Sequence, residues 1–174
     1  MIRSDVDFEE LVRDHHAALY RFALSMSRQP SDAADLVQET FLRWARHGHR
    51  LADPSRVRAW LFTTLYREAG ARRRRLLRFP HFSLADVEPE LPDIPPAAPA
   101  ETDGRLVLEA LARLDAPFAA AVALFYLENY TYPEIAGILR VPVGTVKSRV
   151  ARGIAQLQRH LLSRTSDTPA KPRP

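Results

Sequence analysis

The stretch TYPEIAGILRVPVGTVKSRVARG, residues 131–153, limits the fold more than any other part of the chain. Thr131 and Glu134 have the spacing of a capping box, and Tyr132 and Pro133 fill the first turn, where a missing N–H costs nothing. A short helix therefore starts at a defined residue and closes at Leu139. Pro142 forbids its continuation, and Gly144 and Thr145 open a second helix. Two helices joined by so short a turn must cross steeply. Ile135, Ala136, Ile138 and Leu139 can then meet Val146, Val150 and Ile154 in the angle, leaving Thr145, Lys147, Ser148, Arg149, Arg152 and Gln156 outward. This is the pattern of a helix-turn-helix whose second helix is shaped for a DNA major groove. Arg149 and Arg152 can fork onto guanine edges, Lys147 can meet phosphate, and the hydroxyls of Thr145 and Ser148 can serve either role. An amphipathic hairpin with a solvated basic face is the competing reading.

The chain has 174 residues, a length that suits one ordinary domain or two small helical ones. A boundary lies in FPHFSLADVEPELPDIPPAAPAETDG, which holds six prolines between Phe79 and Gly104 and has no helical period. Net charge is only +4, but it is unevenly placed: residues 1–80 carry +5, residues 81–104 carry −6 and residues 105–174 carry +5. Two basic bodies joined by an acidic strap suit polyanion binding, and two solvated helix faces would look the same. Absence of cysteine removes disulfides, thiolate metal sites and Cys nucleophiles, and fits a reducing cytosol. No signal-like N-terminus and no long apolar run is present, so a soluble cytoplasmic protein without membrane insertion is expected.

Helical stripes fill the rest. Phe8, Leu11, Val12, His15, Leu19, Phe22 and Ala23 share one face of a first helix, which Pro30 should end. Ser31 is the candidate cap of a second helix with Leu36, Val37, Thr40, Phe41 and Trp44 inward and Gly48 at its end. A third, from about Ser55, turns Val57, Trp60, Leu61, Thr64 and Leu65 inward and ends in a dense cationic run, YREAGARRRRLLR. Beyond the strap, RLVLEALARL and APFAAAVALFYLE read as two helices before the helix-turn-helix, and the final residues as a disordered tail.

DLVQETFLRWAR, RAWLFTTLYREAGARRRR and YTYPEIAGILRVPVGTVKSRVARG resemble, in order and spacing, the extracytoplasmic-function (ECF) sigma factors of bacterial RNA polymerase. The resemblance implies an all-α fold of two small helical domains. A region 2 bundle would occupy residues 1–78, a flexible acidic Pro-rich linker 79–104, a region 4 helix-turn-helix 105–163 and a disordered tail 164–174. It implies core RNA polymerase, promoter DNA and an anti-sigma protein as partners; no cofactor is expected, and no metal either, because His15, His16, His47 and His49 have no carboxylate or thiolate partner at helical ligand spacing and HGH is loop-like. Region 2 would bind the clamp coiled coil of the largest subunit through Asp35, Leu36, Gln38, Glu39, Phe41 and Trp44, several of which could equally be core. The loop from about His47 to Ser55 would receive a flipped base, and Arg58, Trp60, Arg67, Glu68, Arg72 and Arg73 would serve the minus-10 element. Region 4 would read the minus-35 element and dock on the flap of the second-largest subunit.

Two positions depart from the family pattern, which usually places an Asn and, four residues later, an Asp where this chain has Glu68 and Arg72. The helix starting LDAPFAAAV also lacks the family's usual Leu-Pro and following Arg. No phosphate loop, nucleophile elbow or catalytic carboxylate pair appears, so catalysis by the chain is not expected. Three readings stand side by side: a promoter-specificity subunit, a stand-alone helix-turn-helix regulator, and a sigma-like decoy that binds only an anti-sigma protein.

Overall fold

In the computed structural model residues 7–27, 29–78 and 106–166 are described, so the expected linker and residues 167–174 of the expected tail lie outside. Among the described residues the secondary structure is helical: α1 (Phe8–Met26), α2 (Pro30–His47), α3 (Val57–Arg78), α4 (106–111), α5 (Ala116–Tyr126), α6 (Tyr132–Leu139) and α7 (Val143–Ser166). The last helix continues into the segment read as tail.

Local chemistry sets most of the boundaries. Asp7 caps α1 by accepting from the Glu9 N–H at 3.0 Å. Pro30 does not serve as the stop of α1; it is the first residue of α2, where its missing N–H is harmless. Ser31 therefore lies inside the helix and Gln29 takes the cap position, without a side-chain bond. Two 3-10 turns, Gly48–Arg50 and Pro54–Arg56, lead into α3, and the Asp53 carboxylate holds the second by accepting from the Ser55 N–H at 3.0 Å. The capping box forms as expected: the N–H and hydroxyl of Thr131 donate to Glu134 Oε2 at 2.8 and 2.6 Å. Those bonds hold the Glu134 carboxyl below its ordinary value. Arg140 turns the chain with a φ of 54°, a left-handed conformation that ends α6 and aims α7 across it.

Ala33, Leu36, Val37, Thr40, Phe41 and Trp44 of α2 are buried at helical spacing, as are Leu11, Leu19, Phe22 and Ala23 of α1 and Val57, Leu61, Phe62 and Leu65 of α3. The buried Thr40 hydroxyl donates to the Leu36 carbonyl at 2.7 Å, so its polar group costs little. α5 differs in kind. Ala119, Ala120, Ala121, Val122, Ala123 and Leu124 are all buried, so this helix has no solvent face along that run. It packs on α1 on one side and on α6 and α7 on the other. Both helical regions thus share one apolar cluster, with the Phe22–Phe62 and Phe62–Tyr130 rings in edge contact at 5.2 and 5.6 Å.

Gly153 marks the tightest helix approach. A Cβ there would lie 2.5 Å from Val122 Cγ2 and 3.5 Å from the Phe118 carbonyl, whereas a Cβ on Gly137 would meet nothing within 4 Å. Gly153→Val is expected to destabilise the fold by ~1–3 kcal/mol through overpacking. Gly137→Ala should stabilise it by ~0.5–1 kcal/mol through backbone entropy. Urea unfolding of the two variants checks the opposite signs.

Candidate nucleic-acid and polymerase interface

The helix-turn-helix forms with the packing read from the sequence. Ile135, Ile138, Leu139, Val146 and Val150 are buried in the angle, with Ala136 and Ile154 packed against them. Lys147, Ser148 and Arg152 are exposed, and Thr145, Arg149 and Gln156 half-buried. At ~100° per residue, Thr145, Ser148, Arg149, Arg152 and Gln156 share one face, while Lys147 lies about 140° round from Arg152. The Ser148 hydroxyl donates to the Thr145 carbonyl at 3.0 Å, a bond that DNA would have to replace or share. Arg149 Nη1 is buried without a hydrogen-bond partner, so this side chain presents less of its donor fork than Arg152 does.

On α3 the expected residues divide by environment. Arg67 and Arg73 are exposed, as are Arg74, Arg75 and Arg78. Glu68, the unexpected acid, is tied to Arg43 of α2 at 3.1 Å, and Arg43 also bonds Glu39 at 3.0 Å. Arg72, the unexpected cation, bridges Asp32 at 2.6 Å and Asp35 at 3.3 Å. The two departures from the family pattern are therefore members of one α2–α3 charge seam. Trp60 meets Trp44 edge to face at 5.2 Å. The 3-10 turn after α2 holds Gly48 against that pair, since a Cβ there would sit 2.5 Å from the Trp44 ring. His47, His49, Arg50 and residues 52–56 of the connecting loop are exposed.

Arg58 is engaged elsewhere. Its Nη2 donates to Glu128 Oε2 at 2.9 Å and to the Glu128 carbonyl at 3.2 Å, and its guanidinium lies 4.7 Å from the Tyr130 ring centre. Burial pushes the Tyr130 phenol up to about 12, against the opposing pull of Arg58.

Of the six residues expected to face the polymerase, Asp35 and Gln38 are exposed and Glu39 is half-buried, whereas Leu36, Phe41 and Trp44 are core at 6, 6 and 9% exposure. Asp35, Gln38 and Glu39 line a 470 Å³ groove between α2 and α3 together with Glu68, Arg72 and Leu42. Leu42, 43% exposed, was missed because it falls off the apolar stripe. An apolar residue just outside that stripe, flanked by Glu39 and Arg43, was the available signal. Arg21 and Glu128 were also missed, and no local pattern could have paired them.

Comparison with known proteins follows these two surfaces. The Sigma-70 region 2 model matches residues 11–79 and the Sigma-70 region 4 model matches residues 104–157. The ECF RNA polymerase sigma factor SigL of Mycobacterium tuberculosis is 34% identical over 151 residues, which cover 85% of each chain. SigE of Mycolicibacterium smegmatis is 36% identical over 172 residues, and the match spans 92% of this chain but 64% of that relative. Among solved structures, the sigma factor RpoE in complex with the anti-sigma factor NepR from Bartonella quintana superposes with a TM-score of 0.74 at 31% identity. That superposition covers 89% of this chain and 96% of the other. With both region models matched in order and relatives aligned across both, the chain belongs to the extracytoplasmic-function sigma factors of bacterial RNA polymerase.

Proposed function

We propose that the chain is the promoter-specificity subunit that gives core RNA polymerase its minus-35 and minus-10 preferences and promotes strand opening. The observation that carries this is the pairing of a solvent-facing recognition face on α7 with a cationic α3 beside an acid-rimmed groove on α2. A stand-alone regulator has no use for the second and third of these. Residues 1–78 would act as the polymerase and minus-10 domain and residues 105–163 as the minus-35 domain. The chemistry of RNA synthesis belongs to the polymerase; this chain supplies binding energy, and it works in the cytoplasm where polymerase and promoter are.

Asp35, Gln38, Glu39 and the apolar Leu42 form the proposed clamp-facing patch. Leu36, Phe41 and Trp44 support it from beneath. Arg67 and Arg73 would serve the nontemplate strand, with Arg74, Arg75 and Arg78 also exposed on α3, and the exposed loop before α3 would take an extruded base. Arg72 and Glu68 would act there through their α2 partners, and Trp60 through Trp44. On α7, Arg149 and Arg152 read base edges, Thr145 and Ser148 assist, and Lys147, well off that face, binds phosphate. The likeness to a sigma factor held by NepR supports an anti-sigma protein as a further partner.

Core polymerase mixed with the purified chain and a library of linear promoters is expected to give run-off transcripts sharing two upstream elements. Core binding without any transcript would favour a decoy, and duplex binding to a two-fold operator without core binding would favour a stand-alone regulator. On the selected promoter, Arg152→Ala should cost ~1–3 kcal/mol at one minus-35 position, and Arg149→Ala should show the same kind of position-specific loss. Lys147→Ala should weaken all sequences alike and lower the salt slope by about one. Equal, sequence-independent losses in all three would contradict the assignment.

A further inference from the structure

We propose that Arg72 and Arg43 are positioning residues for polymerase binding. Each ties one carboxylate of the α2–α3 groove to a second, anchoring carboxylate, so that Asp35 and Glu39 stand preset for a cationic partner. This rests on the groove being the polymerase-facing surface proposed above, and Arg72 then serves the polymerase side of the chain by way of α2.

Asp32, Asp35 and Glu39 follow one another on α2 at three- and four-residue spacing, which puts like charges in neighbouring positions on one face. Left alone they would repel and splay into solvent. Two guanidinium forks prevent this. Arg72 of α3 donates through Nη2 to Asp32 Oδ1 at 2.6 Å and through Nη1 to Asp35 Oδ2 at 3.3 Å. Arg43 of α2 donates through Nε to Glu39 Oε1 at 3.0 Å and pairs through Nη2 with Glu68 Oε2 of α3 at 3.1 Å. Within each triad the proposed polymerase contact is the more exposed side chain and the anchor the more covered. Asp35 is 62% exposed against 37% for Asp32, and Glu39 is 41% exposed against 21% for Glu68. Asp35 and Glu39 each meet their arginine through a single oxygen. Asp35 Oδ1 and Glu39 Oε2 therefore have no bonded donor among the described residues and can each accept another.

Stability does not account for the arrangement, because pairs this exposed contribute little to folding. Order is what they supply. A carboxylate already held in place loses less side-chain freedom when a partner binds, and the difference appears as affinity. Each triad sets two carboxylates against one arginine, so both keep a net negative charge for a basic partner. The role asks for arginine in particular: a planar fork holds two carboxylates in fixed geometry, whereas an ammonium is a point charge on a flexible stem.

Arg72→Lys keeps the charge and loses the fork, and Asp32→Ala removes an anchor that does not line the groove. Run-off transcription from the selected promoter is titrated with core polymerase for the parent, for both variants, and for both changes made again in an Asp35→Ala background. Either variant should raise the core concentration needed for half-maximal transcript roughly three- to tenfold, with the plateau at saturating core close to the parent's. In the Asp35→Ala background both changes should be nearly silent, since the carboxylate they position is gone. A change that only loosens the fold would keep its full loss there. Arg43→Lys with and without Glu39→Ala repeats the test on the second triad. A lowered plateau with an unshifted half-point would make Arg72 a promoter contact and overturn the positioning role. An unshifted half-point and plateau, or undiminished losses in the Asp35→Ala background, would overturn it too, and in all these cases the sigma-factor reading stands. If the parent neither binds core polymerase nor supports transcription, that underlying reading fails and takes the positioning role with it.

Discussion

A helix with no solvent face is the constraint on which the other elements depend. From Ala119 to Leu124 every residue of α5 is buried, so apolar surface must meet it on all sides. Helices α6 and α7 cover one side and α1 covers another. Neither half of this short chain is large enough to bury an ample core alone, and sharing α5 answers that shortage. The run of alanines suits such sharing, because small side chains let neighbouring backbones come close; Gly153 of α7 against Val122 is the extreme case.

That shared core gives the two proposed DNA-binding elements different standing. The recognition face of α7 points away from the junction, with Lys147, Ser148 and Arg152 exposed. The start of α3 points into it, and Arg58 is held by Glu128 and the Tyr130 ring. Beyond the junction, α3 is engaged with α2 through two arginines, Arg43 and Arg72, each bridging a pair of carboxylates. These partly exposed pairs add little stability individually. Their consequence is geometric: Glu68 is turned toward α2, and Arg67 and Arg73 are left outward together with Arg74, Arg75 and Arg78.

What was legible in the sequence was mostly local. The Thr131–Glu134 capping box, the Pro142 break and the every-fourth-residue spacing of Val146, Val150 and Ile154 are each decided within a turn or two, and all three formed. Pro30 was legible as punctuation but its direction was not, because a proline can follow one helix or begin the next. Periodicity put Leu36, Phe41 and Trp44 on one stripe yet could not say whether a stripe faces core or partner. Glu68 and Arg72 looked anomalous beside the family's usual Asn and Asp, and their partners Arg43, Asp32 and Asp35 lie on another helix, out of reach of a local reading. Glu128 was the last residue of the stretch APFAAAVALFYLE read as a helix; its pairing with residues 70 and 107 positions away has no sequence signature.

The two regions share one core, yet the proposed role asks α3 and α7 to reach promoter elements about 25 base pairs, or ~85 Å, apart, so they would have to part on promoter DNA. Because the sequence contains no cysteine, single cysteines at the exposed Ala45 of α2 and Ala155 of α7 can carry spin labels without interference. The distance between them, measured in the free chain and again with core polymerase and promoter DNA bound, tests the claim directly. The account predicts one short distance in the free chain and an increase of several tens of ångströms in the complex. An unchanged distance in a transcriptionally competent complex would contradict it.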